Sequence, residues 1–119
     1  MNFPELFNFG DRFISVQHTR LRLGASQLNF HLHKIGVLDS SRCRCGSPVE
    51  DTWHYFFACP LYTVLRSKLH SAITSLAPFT LQTVLYGSCE CSLLDNECIF
   101  SATHEYILTT GRFKPSGIG

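Results

Sequence analysis

The sequence predicts a small, mainly α-helical domain organised around a knot of cysteines and one histidine, with a short irregular or extended segment before it. Three observations predict this. Apolar residues recur at three- and four-residue intervals through most of the second half of the chain. Glycine and proline fall where short helices would stop and start. Between these segments runs Cys43-x-Cys45-x8-His54-x4-Cys59, three thiols and an imidazole in one short stretch.

A chain of 119 residues is one domain by size, and its 45% hydrophobic content is ordinary for a globular protein. There is no apolar run of transmembrane length and no secretory signal pattern at the start. Six cysteines in such a chain point to an intracellular, reducing setting, cytoplasmic or nuclear. There, clustered cysteines are more often metal ligands than disulfides.

In chain order, residues 1–18 read as a tail or remnant, 19–113 as the domain, and 114–119 as a C-terminal tail. From Asp11 to Leu23 apolar and polar residues partly alternate. If Arg20–Leu23 is extended, Arg20 and Arg22 point one way and Leu21 and Leu23 the other; if helical, they do not. The pattern leaves both open. Gly24 interrupts. Ser26 then caps a helix through Ile35, with Leu28, Leu32 and Ile35 on one face and Gly36 as its stop. His31 and His33, two apart, diverge on that helix and read as surface or boundary residues rather than a chelating pair.

Val37 to Ser41 connects to the cysteine pair, and Gly46-Ser47-Pro48 is turn chemistry. Asp51 or Thr52 caps a short helix carrying His54 to Phe57. Pro60 opens the next helix, to about Leu76, with Leu61, Leu65, Leu69, Ala72, Ile73 and Leu76 at helical spacing. Pro78 ends it. Thr80 to Tyr86 reads as a short helix closed by Gly87. Ser92 to Thr110 reads as a longer one, capped by Ser92 and closed by Gly111, with Leu94, Cys98, Ala102 and Tyr106 as its apolar stripe.

Zinc takes four soft or borderline donors in a tetrahedron, and a closed Cys3His set makes a structural site. Cys43, Cys45, His54 and Cys59 supply that set. Gly46 lets the backbone turn back toward the metal, and Arg42 and Arg44 favour the thiolate form. The competing reading has the cysteines as small buried apolar groups and His54 as a core histidine. A second grouping, Cys89-x-Cys91-x6-Cys98-x5-His104, has the same donor count. Its geometry is poor: Cys98 sits on the predicted apolar stripe, and His104 lies across the helix from it.

Enzyme signatures are missing: there is no phosphate loop with Lys-Ser/Thr and no Gly-x-Ser-x-Gly. A zinc with four protein ligands has no open position for water, which argues against metal hydrolysis. Glu50 and Asp51, side by side, read as a solvated cap.

The charge is split. Residues 11–70 carry eight Lys or Arg against four acids, whereas residues 71–111 carry four acids and no Lys or Arg. The basic half, which holds the cysteine knot, suits an anionic partner. Phosphates would be met by Arg20, Arg22, Arg42, Arg44 and Lys34, with Arg66 and Lys68 behind them. Trp53 and Tyr55 would stack on unpaired bases. The bland alternatives are ordinary surface charge and core aromatics.

Thr19-Arg20-Leu21-Arg22-Leu23-Gly24, Leu28-Asn29, His31-Leu32, Cys43-x-Cys45-Gly46, Glu50, His54 and Cys59-Pro60 come in an order that resembles a known region. It is the CCHC-type zinc-knuckle region after the reverse transcriptase in polyproteins of non-LTR (LINE-like) retrotransposons. The resemblance continues more weakly through Leu85-Tyr86-Gly87 to Arg112-Phe113. It implies a C-terminal accessory domain that helps a retroelement protein handle its RNA or target DNA. It maps Cys43, Cys45, His54 and Cys59 onto the ligands of one structural zinc. Cys89 and Cys91 fall outside the pattern. No Tyr-x-Asp-Asp polymerase motif and no RNase H or endonuclease acids occur, so no catalysis is expected of the chain itself. It looks like a terminal fragment. RNA or DNA is the expected partner, with a polymerase body in the parent protein, and neither a membrane nor a small-molecule substrate. The alternatives are a protein-interaction domain docking on that body, or a non-functional remnant.

Overall fold

A computed structural model of the chain describes residues 9–113, with side chains from residue 12 onward. The described residues are mainly helical and contain no strand. Five α-helices run in the order α1 (Phe9–Leu23), α2 (Asn29–Lys34), α3 (Thr63–Thr74), α4 (Leu81–Tyr86) and α5 (Leu93–Thr110). A π-type turn (His54–Ala58) and a 3₁₀ turn (Pro60–Tyr62) lead into α3. None of the described helices is long and apolar enough to cross a membrane.

The first departure from expectation is α1. Residues 9–23 are helical rather than irregular or extended, and the helix runs through the expected start of the domain at Thr19. Its inward face is Ile14, Gln17, His18 and Leu21, all buried. That is a helical i, i+3, i+4, i+7 face with two polar members, which is why hydropathy alone did not reveal it. Gly24, at φ +68°, ends the helix. The rest of the expected N-terminal tail, residues 1–8, and the C-terminal tail, 114–119, lie outside the described residues.

Helix α5 is the spine of the fold and packs against α3, α1 and α4. Ser92 caps it by accepting from the Asp95 N–H at 3.0 Å, and Gly111 closes it at φ +60°. Its buried residues are Ile99, Thr103, Tyr106 and Ile107. The predicted stripe is therefore rotated: Tyr106 belongs to it, whereas Leu94 and Cys98 are exposed. The cause is Thr103. Its hydroxyl donates to the Ile99 and Val84 carbonyls at 3.1 and 3.3 Å, so a polar residue sits deep in the core with its hydrogen bonds made. On α3 the inward residues are Leu69 and Ile73, as spaced, while Leu61, in the 3₁₀ turn before it, is 45% exposed.

Aromatic rings join the knot to the spine. Tyr55 meets Phe56, Tyr62, Tyr106 and Phe113 edge to face, at centroid distances of 4.9, 5.6, 5.2 and 5.3 Å. Such pairs contribute about 0.5–1.5 kcal/mol each beyond area burial. The phenols are paired too: Tyr106 donates to the Tyr55 carbonyl at 2.6 Å, and Tyr55 and Thr110 share a bond of 2.7 Å.

Helix α2 is shorter than expected, and Ser26 does not cap it. Ser26 is buried, and its hydroxyl lies 2.7 Å from His31 Nδ1. His31, expected at the surface or boundary, is also buried, and burial followed by nearby Lys34 lowers its pKa. The start of α2 is satisfied from a distance instead. The Asn29 N–H donates to Glu50 Oε1 at 2.8 Å and the Phe30 N–H to the Glu50 carbonyl at 3.0 Å.

Candidate metal centre

The cluster is built from two short pieces of chain. Around the first two cysteines the backbone folds into a tight loop. The Cys43 N–H donates to the Ser47 carbonyl at 2.8 Å and the Gly46 N–H to the Cys43 carbonyl at 2.9 Å. Gly46 makes this possible with φ +103°, a value that side-chain-bearing residues avoid. Arg42 closes over the loop by donating to the Gly46 carbonyl at 2.9 Å.

The second piece is the turn His54–Ala58. Asp51 starts it, accepting from the His54 N–H at 2.8 Å, as the sequence suggested. The Cys59 N–H returns to the His54 carbonyl at 2.8 Å, a five-residue reach. This wider π-type turn lets residues five apart share one face, which an ordinary α-turn would not do. The x4 between His54 and Cys59 is thus a geometric requirement. Arg66 holds the end of the turn by donating to the Phe56 and Cys59 carbonyls.

The four donors converge. Cys43 Sγ lies 3.8 Å from Cys59 Sγ, and Cys45 Sγ lies 3.4 Å from His54 Nε2. All four donor atoms lie within 4.8 Å of one another. Donors on one small divalent ion, with bonds of about 2.3 Å to sulfur and about 2.0–2.1 Å to nitrogen, would lie about 3.8 and about 3.6 Å apart at the tetrahedral angle. The two closest separations are near those values, the set could hold one metal ion, and three of the four residues are buried.

The thiols differ in acidity. Burial pushes Cys43 up to about 12 and also raises Cys59. Cys45 is lowered, chiefly by a hydrogen bond from the Ser47 backbone. A bound cation would reverse the direction for the buried pair by stabilising their thiolates, so binding releases protons.

The second grouping, whose spacing is poor for a tetrahedron, is not brought together among the described residues. Among the described residues, Cys43, Cys45, His54 and Cys59 are the one set of three or more donors close enough to share an ion. Cys89 and Cys98 are exposed, and Cys91 donates to the Leu76 carbonyl at 3.4 Å. His104 lies 2.9 Å from His18 Nδ1, and His18 Nε2 lies 2.9 Å from the Val84 carbonyl. The carbonyl fixes the His18 proton on Nε2, which leaves Nδ1 as the acceptor. Burial first, then Arg22 and His104, pushes His18 down to about 4.

The basic residues separate into two groups. Arg22 turns inward: it donates to the Leu85 carbonyl and lies 5.4 Å from the Phe100 ring and 6.0 Å from the Tyr86 ring. Arg66 is likewise engaged on the π-type turn. Arg42, Arg44 and Lys34 are exposed, and Arg20 is half-buried. Lys34 lies 5.8 Å from the Phe30 ring, and Lys68 pairs with Glu105 at 3.1 Å. Of the two aromatics expected to stack on bases, Tyr55 is fully buried, whereas Trp53 is 56% exposed and lies against Phe57.

A clamp beneath the knot was not anticipated. Glu50, read as a solvated cap, is buried, and Arg112 grips both of its oxygens at 2.8 and 2.7 Å. Burial pushes the Glu50 carboxyl up, but the Arg112 and Asn29 hydrogen bonds outweigh it and hold the pKa below the usual range. Those bonds correspondingly raise Arg112. Arg112 also donates to the Gln27 carbonyl at 3.0 Å and to Asn29 Oδ1 at 3.1 Å. Asn29 Nδ2 donates to the Arg42 carbonyl at 2.6 Å, tying the clamp to the cysteine loop. The signal that could have found it lay in the motifs: Leu28-Asn29, Glu50 and Arg112-Phe113 all belong to the resemblance.

Comparison with known proteins places these features in context. No family model matches the chain, and no solved structure matches it. It is 40% identical over 52 residues, 44% of its length, to a 115 kDa protein in type-1 retrotransposable element R1DM of Drosophila melanogaster. It is 44% identical over 43 residues, 36% of its length, to a retrovirus-related Pol polyprotein from type-1 retrotransposable element R1 of Bradysia coprophila. The matched stretches span 5% and 4% of those relatives. Over part of its length, the chain is thus similar to proteins of R1 retrotransposable elements.

Proposed function

We propose that the chain is a zinc-stabilised, nucleic-acid-binding accessory module resembling a small part of a retroelement polyprotein, with no catalysis of its own. The observation that carries this reading is the convergence of the Cys43, Cys45, His54 and Cys59 donor atoms to within 4.8 Å of one another. Three thiolates and an imidazole select zinc among common cellular divalent ions, because calcium and magnesium prefer oxygen. Four protein donors close the coordination sphere and leave no position for a reacting water, which supports a structural metal.

The nucleic-acid part of the reading draws on the retroelement relatives and on the exposed cations around the knot. Arg44 and Lys34 are available to phosphates, as are the nitrogens of exposed Arg42 not bonded to Gly46, Arg20 is partly so, and Trp53 offers an open ring. Arg22 and Arg66 are set aside, since their guanidiniums are engaged inside the fold. The test is retention of a single-stranded 30-mer by the zinc-loaded chain across a salt series. Affinity should fall steeply with salt, with a slope reflecting about three to four phosphate contacts. Failure to retain the 30-mer even at low ionic strength contradicts the reading.

A second reading has support of its own. Val64, Leu93, Leu94 and Leu108 are 62–79% exposed on the helical body. Such residues suit docking on the polymerase body of a longer protein. Poor solubility of the isolated chain, rescued by an upstream polymerase region, would favour docking over nucleic-acid binding as the main role.

A further inference from the structure

The cysteine loop and the C-terminal end of α5 flank an open cleft of about 350 Å³. Its walls include Asn29, Arg44, Leu61, Tyr62, Thr110 and Arg112. That volume is at the small end of ligand sites and suits a single ring system with a short polar attachment.

The polar groups of this cleft are unevenly occupied. Glu50, at its base, is neutralised by Arg112 through two bonds. Thr110 Oγ1 donates to the Ile107 carbonyl and pairs with the Tyr55 hydroxyl. The amide of Asn29 is engaged at both ends. Guanidinium donors are left over. Arg44 is exposed, and among the described residues the hydrogen bonds of Arg112 use its Nε and Nη2. Against them stand an apolar wall, Leu61 and Tyr62, and the carbonyl end of α5. Guanidinium donors, carbonyl acceptors and an apolar wall together match the edge and face of a nucleobase. They match a bare phosphate poorly, because the negative end of the α5 dipole opposes an anion.

We infer that this cleft seats one unpaired base of a single-stranded nucleic acid, with Arg44 and Arg112 at the base's acceptor edge and Leu61 and Tyr62 along its face. The inference rests on the nucleic-acid reading above and makes it specific to a site. It favours single strands over duplexes, since a paired base cannot enter. It also favours guanine, whose O6 and N7 accept from guanidinium while its N1 and N2 donate to carbonyls.

The test uses the zinc-loaded full chain, labelled for amide NMR and titrated with single-stranded hexamers. One hexamer carries a central guanine and the other an abasic residue in its place. The guanine hexamer should shift the amides of Asn29, Leu61, Thr110 and Arg112, and the abasic hexamer should bind about tenfold more weakly without shifting them. Leu61→Trp, which fills the cleft, and Arg44→Ala, at an exposed position, should each erase the difference between the hexamers; the amide spectrum of each variant reports its fold. Equal binding of both hexamers, or shifts confined to other residues, overturns the cleft assignment and leaves the nucleic-acid reading standing. No binding of either hexamer, together with no retention of the 30-mer, overturns both.

Discussion

Arg112 and Glu50, 62 residues apart in sequence, form a two-bond ion pair at 2.8 and 2.7 Å beneath the cysteine loop. The Glu50 side chain is 4% exposed and that of Arg112 22%. Through Asn29 the pair holds the start of α2, the cysteine loop and the end of α5 in one network. It fixes where the cysteine loop sits on the helical body.

Breaking the pair from one side should be costly. Arg112→Met leaves a buried carboxylate without its partner and should destabilise the zinc-loaded protein by about 3–5 kcal/mol. Glu50→Gln combined with Arg112→Met should cost clearly less than the sum of the two single changes. Urea unfolding of all four proteins measures the coupling. A cost below about 1 kcal/mol for Arg112→Met would show that the network carries little weight.

His18 predicts a specific acid sensitivity. Its folded pKa is held down to about 4, below the ordinary 6.5, because burial, Arg22 and His104 disfavour the charged ring. Between those values the unfolded chain binds more protons than the folded one, so its contribution is complete above 6.5 and is lost as pH falls toward 4. At pH 5 the loss should be about 2 kcal/mol. His18→Gln keeps a donor for the Val84 carbonyl and removes the titration. Stability of wild type minus variant should therefore decline from pH 7.5 to pH 5, and a difference independent of pH would contradict the assignment.

Gly87 closes α4 at φ +76° and ψ −162°, a region that side-chain-bearing residues rarely enter. A methyl group there would also run into Asn96, whose Oδ1 accepts from the Ser88 N–H at 2.8 Å and whose Nδ2 donates to the Ser88 carbonyl at 2.9 Å. Gly87→Ala should cost about 2–4 kcal/mol, more than strain alone. Gly36→Ala, with a similar φ but open space around it, should cost only the strain, about 1–2 kcal/mol. Equal thermal shifts for the two variants would remove the steric part of this account.

Much of the architecture was legible because its determinants are local. The helices after Pro60 announce themselves through Leu69 and Ile73 and through the caps Ser92 and Gly111. The metal ligands are readable because one tight loop and one turn bring them together. The misreadings share a cause. At Gln17, His18, His31 and Thr103 a polar side chain occupies a core position, and His18, His31 and Thr103 make hydrogen bonds inside the fold, so an apolar pattern does not mark these positions as core. Glu50 looked solvated because its partner lies at the far end of the described chain, and Arg22 looked free because Leu85 and Phe100 reach it only in three dimensions.

The central claim is that Cys43, Cys45, His54 and Cys59 hold one zinc ion and that the second cysteine grouping holds none. Zinc content of the purified chain, measured for wild type, Cys59→Ser and Cys91→Ser, tests it directly. The account predicts one zinc per chain in wild type and in Cys91→Ser, and less than a tenth of that in Cys59→Ser, with loss of helical signal when zinc is removed from wild type. Two zinc ions per chain, zinc lost from Cys91→Ser, or zinc retained in full by Cys59→Ser would contradict it.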